Sequence, residues 1–242
     1  MKKLYVNGCS FTYGHTLPEN KTWPYLLAKE LELELHNNSK NGQSMHSISF
    51  NTFMHLASFD PEDTLVIVGL TWPTRLMVQA HQLTLNISPN NPIKDKYYDK
   101  IYNSCHPEKY IIDDYNEKEV VNYWIENNNI SDLVLSLINL QKQQTKIQTT
   151  ERNLNNLDNM FLYYLITLQS YLECRGFKYR FINFQKDFEK DYNVSALLTD
   201  LINSENVIDM FGDRITSLIS KETSHPSAEG ALEIKNQIIK SL

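Results

Sequence analysis

The sequence has 242 residues, of which 41% are hydrophobic and 21% charged, and it carries a formal net charge of −6 at pH 7. These values are ordinary for a globular protein, and the length suits a single α/β domain over residues 1–242. The acidic balance and the absence of a Lys/Arg-rich block argue against a nucleic-acid-binding protein, because neutralising phosphates needs a basic surface.

The cysteines and the N-terminal segment indicate a cellular compartment. Cys9, Cys105 and Cys174 lack the spacing of a metal site or a disulfide framework, which favours a reducing compartment. The first apolar run ends at Asn7, too early for the hydrophobic region of a signal peptide. No stretch approaches the roughly 20 apolar residues of a membrane span. We therefore predict a cytoplasmic protein without a membrane span.

The first 70 residues alternate between strand and helix patterns. A short run of β-branched and aromatic residues predicts a buried strand over 2–7. Periodic apolar positions predict helices over 22–35, with Thr22 as N-cap, and over 44–59. A continuous apolar run over 63–70 is typical of strands in parallel sheets. This order of elements indicates a parallel α/β sheet.

The middle of the chain interrupts this alternation. Residues 85–116 are rich in Pro, Asn, Lys and Tyr with weak periodicity, and long helices are predicted over 117–148 and 151–175. We expect an irregular and helical insertion at about 85–175 that covers the carboxyl-terminal edge of the sheet. The chain then continues with a strand over 178–184, a short helix over 194–203, an edge strand over 206–211 and a helix over 227–242.

Ser10 lies directly after the first predicted strand. This position puts its hydroxyl at the carboxyl-terminal edge of the sheet, where open α/β folds bind their ligands. Ser10 is therefore a candidate nucleophile. The alternative is a structural serine whose side chain bonds to the backbone of a tight turn.

His225 is the candidate general base. Pro226 favours an extended backbone at His225, so the imidazole can project from the loop before the last helix. Glu222 lies three residues earlier and can orient the ring. A lone histidine is more often a surface or core residue, and it is the nearby carboxylate that favours a catalytic role.

Four segments of the sequence resemble the sequence blocks of the SGNH/GDSL hydrolases. In order, they are GCSFTYG (8–14), NSKNGQSMHSI (38–48), VIVGLTWPTR (66–75) and SHPSAEGALEI (224–234). The resemblance spans nearly the whole chain. It implies a three-layer α/β/α sandwich with a central, mostly parallel, flavodoxin-like sheet, together with the helical insertion.

The resemblance also implies roles for particular residues. Ser10 would be the nucleophile, His225 the base and Glu222, in place of the usual Asp, the acid of a Ser-His-Glu triad. The backbone N–H groups of Ser10 and Gly42 would bind the oxyanion.

The third block departs from the family pattern. Gly69 matches, but Thr71 stands where the family has the oxyanion-binding Asn, and Trp72 replaces the following Asp. The missing side-chain donor could be the Thr71 hydroxyl or the Arg75 guanidinium. Both residues could also be purely structural.

The resemblance implies a serine esterase that cleaves a small acyl ester, for example an O-acetyl group on a carbohydrate. No cofactor and no metal are expected, because the other histidines form no ligand set. The alternative is a catalytically weak or inactive binding or assembly protein with the same fold. Such a protein could be phage-encoded, because abundant Asn, Ile and Lys are typical of AT-rich genomes. A nucleotide-binding protein is disfavoured, since no phosphate-binding loop is present.

Overall fold

A computed structural model describes residues 1–73, 76–80, 83–87, 111–112, 151–184, 196–210, 219–220, 223 and 225–242. The helix predicted over 117–148 lies outside these residues. In chain order the main elements are β1 (Lys3–Asn7), α1 (Ser10–Tyr13), α2 (Trp23–Glu30), β2 (Glu34–Asn37), α3 (Met45–Leu56), β3 (Thr64–Gly69), β4 (Leu76–Ala80), β5 (Leu83–Ile87), β6 (Ile111–Ile112), α4 (Glu151–Arg175), β7 (Lys178–Asn183), α5 (Ala196–Thr199), β8 (Val207–Asp209) and α6 (Ala228–Ser241).

The central sheet has five strands in the order β2-β1-β3-β7-β8. All neighbouring strands are parallel, which confirms the predicted parallel α/β sheet. From β1 the chain adds β2 on one side of the sheet and β3, β7 and β8 on the other. The order therefore reverses between β1 and β3, and open α/β sheets bind ligands beyond the carboxyl ends of the strands at this point.

The sheet has a helical layer on each face, which confirms the three-layer α/β/α sandwich. β3 is buried along its whole length, and its side chains alternate between the two faces. Leu65 and Ile67 pack in one core together with residues of α2 and α6. Val66 and Val68 pack in the other core together with residues of α3 and α4.

Side-chain caps begin two of the predicted helices. Ser44 accepts a hydrogen bond from the Ser47 N–H at 3.2 Å before α3, and Ser227 accepts one from the Gly230 N–H at 3.1 Å before α6. These bonds satisfy backbone donors that the first helical turn leaves without partners. The predicted helices over 44–59 and 227–242 are thereby confirmed, with ends shifted by a few residues.

The helix predicted over 22–35 is wrong at its carboxyl end. α2 ends at Glu30, and residues 34–37 form the edge strand β2. Glu32 has a left-handed backbone conformation with φ of 53°, and the Leu33 N–H donates to the Ala28 carbonyl at 2.9 Å. This turn stops the helix and leads the chain into its pairing with β1.

The chain departs from the predicted alternation earlier than expected, because β4 (Leu76–Ala80) and the start of β5 precede residue 85, where the predicted insertion begins. β4, β5 and β6 form a small separate sheet, which begins with the antiparallel β4–β5 hairpin and was not predicted from the sequence. α4 packs on the central sheet beside α3 through Phe161, Leu165, Leu168 and Leu172. The described part of α4 is therefore a layer of the sandwich. None of the helices in the described ranges combines the length and apolar character that a membrane crossing requires.

Candidate active site

Ser10 is the first residue of α1, the single helical turn that follows β1. The turn closes on the Ser10 carbonyl, which accepts from the N–H groups of Gly14 at 3.1 Å and His15 at 3.2 Å. Cys9, not Ser10, occupies the N-cap of α1 and makes no side-chain cap bond, so capping does not explain the serine. Ser10 is 5% exposed and lies at the carboxyl end of β1, where the strand order reverses.

Two glycines allow α1, which we call the Ser10 turn, to pack against the end of β3. Thr12 is fully buried between Gly8 and Gly69. A Cβ atom on either glycine would overlap with Thr12 Oγ1, and a Cβ atom on Gly8 would also lie 2.9 Å from the Gly69 carbonyl oxygen. Glycine is therefore required on both sides of Thr12, which fixes the position of the turn relative to the sheet.

The loop that contains Gly42 runs beside the Ser10 turn. It is held to the end of β1 by hydrogen bonds from the Asn38 N–H to the Val6 carbonyl (2.8 Å) and from the Lys40 N–H to the Gly8 carbonyl (3.1 Å). Gly42 has φ of 73°, a left-handed conformation that favours glycine. This loop is where the predicted backbone donor of Gly42 lies.

His225 is held in place by its own loop. The Ser220 N–H donates to the His225 carbonyl at 2.9 Å, next to a bridge between Ile219 and Pro226. His225 Nδ1 lies 2.6 Å from the Thr223 carbonyl oxygen. Because a carbonyl can only accept, Nδ1 carries the proton of this bond, and Nε2 is the basic nitrogen of the neutral ring.

The loop brings the His225 ring to the Ser10 turn. Its centroid is 5.4 Å from the Phe11 ring, and Phe11 is the residue after Ser10. The structure therefore brings together the region of the predicted nucleophile and that of the predicted base, although these lie near opposite ends of the sequence.

His15 is a second imidazole at this place, and the sequence analysis did not identify it as a site residue. Its ring meets the His225 ring edge to face, with centroids 4.5 Å apart. Burial, and then the charge that His225 carries when protonated, lower the pKa of His15 from 6.5. Both effects favour the neutral form of the His15 ring. Its place in the turn closed by Ser10 is the signal that could have revealed it.

Of the remaining residues in the predicted site region, the structure describes Thr71 and Trp72. Thr71 is fully buried just after β3, and Trp72 packs against Phe11 with ring centroids 5.4 Å apart. Arg75 and Glu222 lie outside the described residues. Within the part of the chain that is described, no three His, Cys, Asp or Glu residues form a cluster that could hold a metal ion.

Comparison with known proteins gives structural similarity without sequence similarity. No family model and no curated protein matches the sequence. The structure is similar to that of TesA, with a TM-score of 0.52 and 12% identity over 100% of this chain and 98% of the other. It is also similar to a G-D-S-L family protein from Desulfitobacterium hafniense, with a TM-score of 0.51 and 12% identity over the whole of both chains. These similarities concern the fold alone.

Proposed function

We propose that this chain, which has the SGNH/GDSL hydrolase fold, is a serine-dependent carboxylic ester hydrolase. The observation that carries the proposal is the position of His225. Its ring reaches the Ser10 turn, and its Nδ1 is held by the Thr223 carbonyl, which leaves Nε2 as the basic nitrogen. A serine at a strand end with such a base nearby is the arrangement that nucleophilic catalysis needs.

The first half of the reaction forms an acyl-enzyme. His225 Nε2 removes the proton from Ser10 Oγ as the oxygen attacks the ester carbonyl carbon. The backbone N–H groups of Ser10 and Gly42 stabilise the negative charge on the tetrahedral oxygen. The intermediate then collapses, the bond to the alcohol oxygen breaks, and the proton on Nε2 passes to the leaving alkoxide.

The second half uses water in place of the alcohol. His225 Nε2 takes a proton from a water molecule, and the resulting hydroxide attacks the acyl carbon bound to Ser10. The second tetrahedral intermediate breaks its bond to Ser10 Oγ, which recovers the proton from Nε2. The carboxylic acid leaves, and the free enzyme is restored.

The proposed oxyanion hole has two candidates for its third donor, the side-chain donor. The family Asn is replaced by Thr71, whose hydroxyl is shorter in reach, and Arg75 is the other candidate. Loss of one donor lowers kcat by roughly 10²–10³ in a serine hydrolase. We therefore propose an enzyme with low turnover on generic esters.

The substrate class that we propose is a small acyl ester, such as an O-acetyl group on a carbohydrate. Ser10 exposes only 5% of its surface, and the aromatic rings of Phe11 and Trp72 pack together beside it. Limited space around a nucleophile favours a short acyl chain over a long one.

Reaction with a fluorophosphonate tests the proposed nucleophile. Wild type should form one covalent adduct on the peptide that contains Ser10, because only an activated serine attacks this reagent rapidly. Ser10→Ala should remain unlabelled, and Ser58→Ala, which removes an exposed serine hydroxyl, should be labelled like wild type. Circular dichroism confirms that all three proteins are folded.

The same experiment separates the enzyme from the alternative of a non-catalytic binding or assembly protein with this fold. Folded wild type that gives no adduct would favour the binding protein. An adduct that persists in Ser10→Ala would show that a different residue is the nucleophile.

Replacing Glu222 with glutamine should lower kcat by about tenfold at most, well below the roughly 10⁴-fold loss seen when an enzyme depends on its triad acid. The reason is that the Thr223 carbonyl already holds His225 Nδ1 and selects the reactive tautomer. Steady-state hydrolysis of an aryl acetate measures the effect. Glu229→Gln removes another carboxylate, on the exposed start of α6, and is the matched control. A loss of about 10³-fold or more in Glu222→Gln alone would mean that the carboxylate is required.

A further inference from the structure

The Gln43 side chain joins the Gly42 loop to the strand that carries the nucleophile. Gln43 is fully buried. Its Nε2 donates to the Gly8 carbonyl at 2.9 Å, to Asn7 Oδ1 at 3.1 Å and to the Asn38 carbonyl at 3.3 Å. The amide nitrogen has two hydrogens and three acceptors, so two of the acceptors share one hydrogen.

The other end of the Gln43 amide is held by donors from α3. Oε1 accepts from Asn51 Nδ2 at 3.1 Å and from Ser47 Oγ at 3.3 Å. Acceptors surround the nitrogen and donors surround the oxygen, so only one orientation of the amide satisfies all partners. The side chain is therefore fixed at both ends.

The strand end that Gln43 contacts is itself anchored. Asn7 Nδ2 donates to the Ile48 carbonyl at 3.1 Å and to Thr52 Oγ1 at 2.9 Å, both on α3. Asn7 Oδ1 also accepts from the Gly8 N–H at 2.8 Å. Gln43 thus connects its loop to a rigid point two residues before Ser10.

We propose that Gln43 is a positioning residue of the oxyanion hole, which sets the distance between the N–H groups of Gly42 and Ser10. This inference rests on the proposed function, since it concerns the same two donors. Gln43 follows Gly42 directly and bonds to Gly8, so one side chain spans the gap between the two backbone segments. A hole of this kind works only when its donors lie within 2.7–3.1 Å of the developing oxyanion.

The glycine at position 42 makes such an anchor necessary. Glycine is the residue with the greatest backbone freedom, and Gly42 adopts a left-handed conformation. The direction of its N–H group must then be fixed from outside the residue. The Gln43 amide and the bond from Lys40 N–H to the Gly8 carbonyl are the two fixed points on either side of it.

Gln43→Met tests this role, with Gln169→Met as the matched control. Gln169 is also a buried glutamine, and its amide joins α4 to the Leu201 carbonyl at 3.0 Å and the Asn203 N–H at 2.8 Å. Both substitutions keep the approximate volume of the side chain and remove its hydrogen bonds. The urea midpoint should fall in both variants, and further in Gln43→Met, because that substitution removes five hydrogen bonds and Gln169→Met removes two. Catalysis is therefore compared without urea, at a temperature where both variants are fully folded.

Only Gln43→Met should change catalysis. We expect kcat for an aryl acetate to fall by about 10- to 100-fold with KM nearly unchanged, because the oxyanion forms only after substrate binding. Affinity for a trifluoromethyl ketone, which forms a tetrahedral adduct with an active serine, should fall by a similar factor. Gln169→Met should leave all three quantities at wild-type values.

The outcomes distinguish this inference from the proposed function. If wild type forms no fluorophosphonate adduct, the proposed function fails and the inference fails with it. If wild type reacts but Gln43→Met keeps wild-type kcat and ketone affinity, the inference alone is overturned. Should Gln43→Met not fold, Asn51→Ala decides, since it removes one of the two bonds to Gln43 Oε1. A fall in kcat at constant KM then supports the positioning role, and an unchanged kcat overturns it.

Discussion

Replacing His225 with glutamine should lower kcat for an aryl acetate by about 10⁴-fold or more, the usual scale for loss of a catalytic histidine. Glutamine can fill part of the space of the imidazole, but its amide cannot take a proton from Ser10 Oγ near pH 7. The reaction with fluorophosphonate should slow by a comparable factor, because the same proton transfer activates the serine. Steady-state and labelling rates at pH 7 measure both effects.

His15→Gln is the matched control for this prediction. The two imidazoles are in contact, with centroids 4.5 Å apart, and the same substitution at either position removes one ring. We expect His15→Gln to lower kcat by less than about tenfold, because the hydrogen bond between His225 Nδ1 and the Thr223 carbonyl orients His225 Nε2 as the base. Equal losses in the two variants, or a larger loss at position 15, would contradict the assignment of the base.

The strands β1 and β3 could be predicted because their sequence pattern is local. Each is a short apolar run, and residues buried on both faces of a parallel sheet need no alternation of polar positions. The segment around β2 shows where this reasoning fails. Its alternation of Leu and Glu fits the end of a helix as well as an edge strand, and the choice depends on pairing with β1, which no local pattern encodes.

The same limit applies to β4 and β5. Their antiparallel pairing creates a separate small sheet, and the segment has neither the strong periodicity nor the turn residues that indicate a hairpin. By contrast, α4 could be predicted, because its apolar positions recur with helical spacing over many turns. Its packing beside α3 could not be predicted, since spacing does not tell which surface a helix covers.

Some residues of the candidate site could also be predicted from the sequence, and others could not. Ser10 and His225 could be selected because one follows a strand and the other precedes a helix, and each carries a reactive side chain. The Thr223 carbonyl could not be selected, because every residue has a backbone carbonyl and its direction is a tertiary property. Gln43 was missed because a neutral amide has no chemistry of its own, and its importance comes from the five partners that surround it.

The second large effect that we expect concerns the packing behind the nucleophile. Gly69→Ala should lower the free energy of unfolding by about 1–3 kcal/mol, the usual cost of an added methyl group in a well-packed core. The new Cβ atom would overlap with Thr12 Oγ1, and it would also lie only 3.2 Å from the Phe184 ring, so there is little room for it to move. Urea denaturation of wild type and Gly69→Ala measures the difference.

Substitutions of Thr12 identify the atom responsible. Thr12 Oγ1 is buried without a hydrogen-bond partner among the described residues, so Thr12→Ala removes the overlapping oxygen without breaking a hydrogen bond. The double variant Thr12→Ala/Gly69→Ala should therefore recover most of the stability lost in Gly69→Ala. Thr12→Val keeps an atom at the position of Oγ1, and the double variant with valine should stay as unstable as Gly69→Ala. If alanine and valine restore stability equally, or if Gly69→Ala is as stable as wild type, the contact with Thr12 is not what requires glycine at the end of β3.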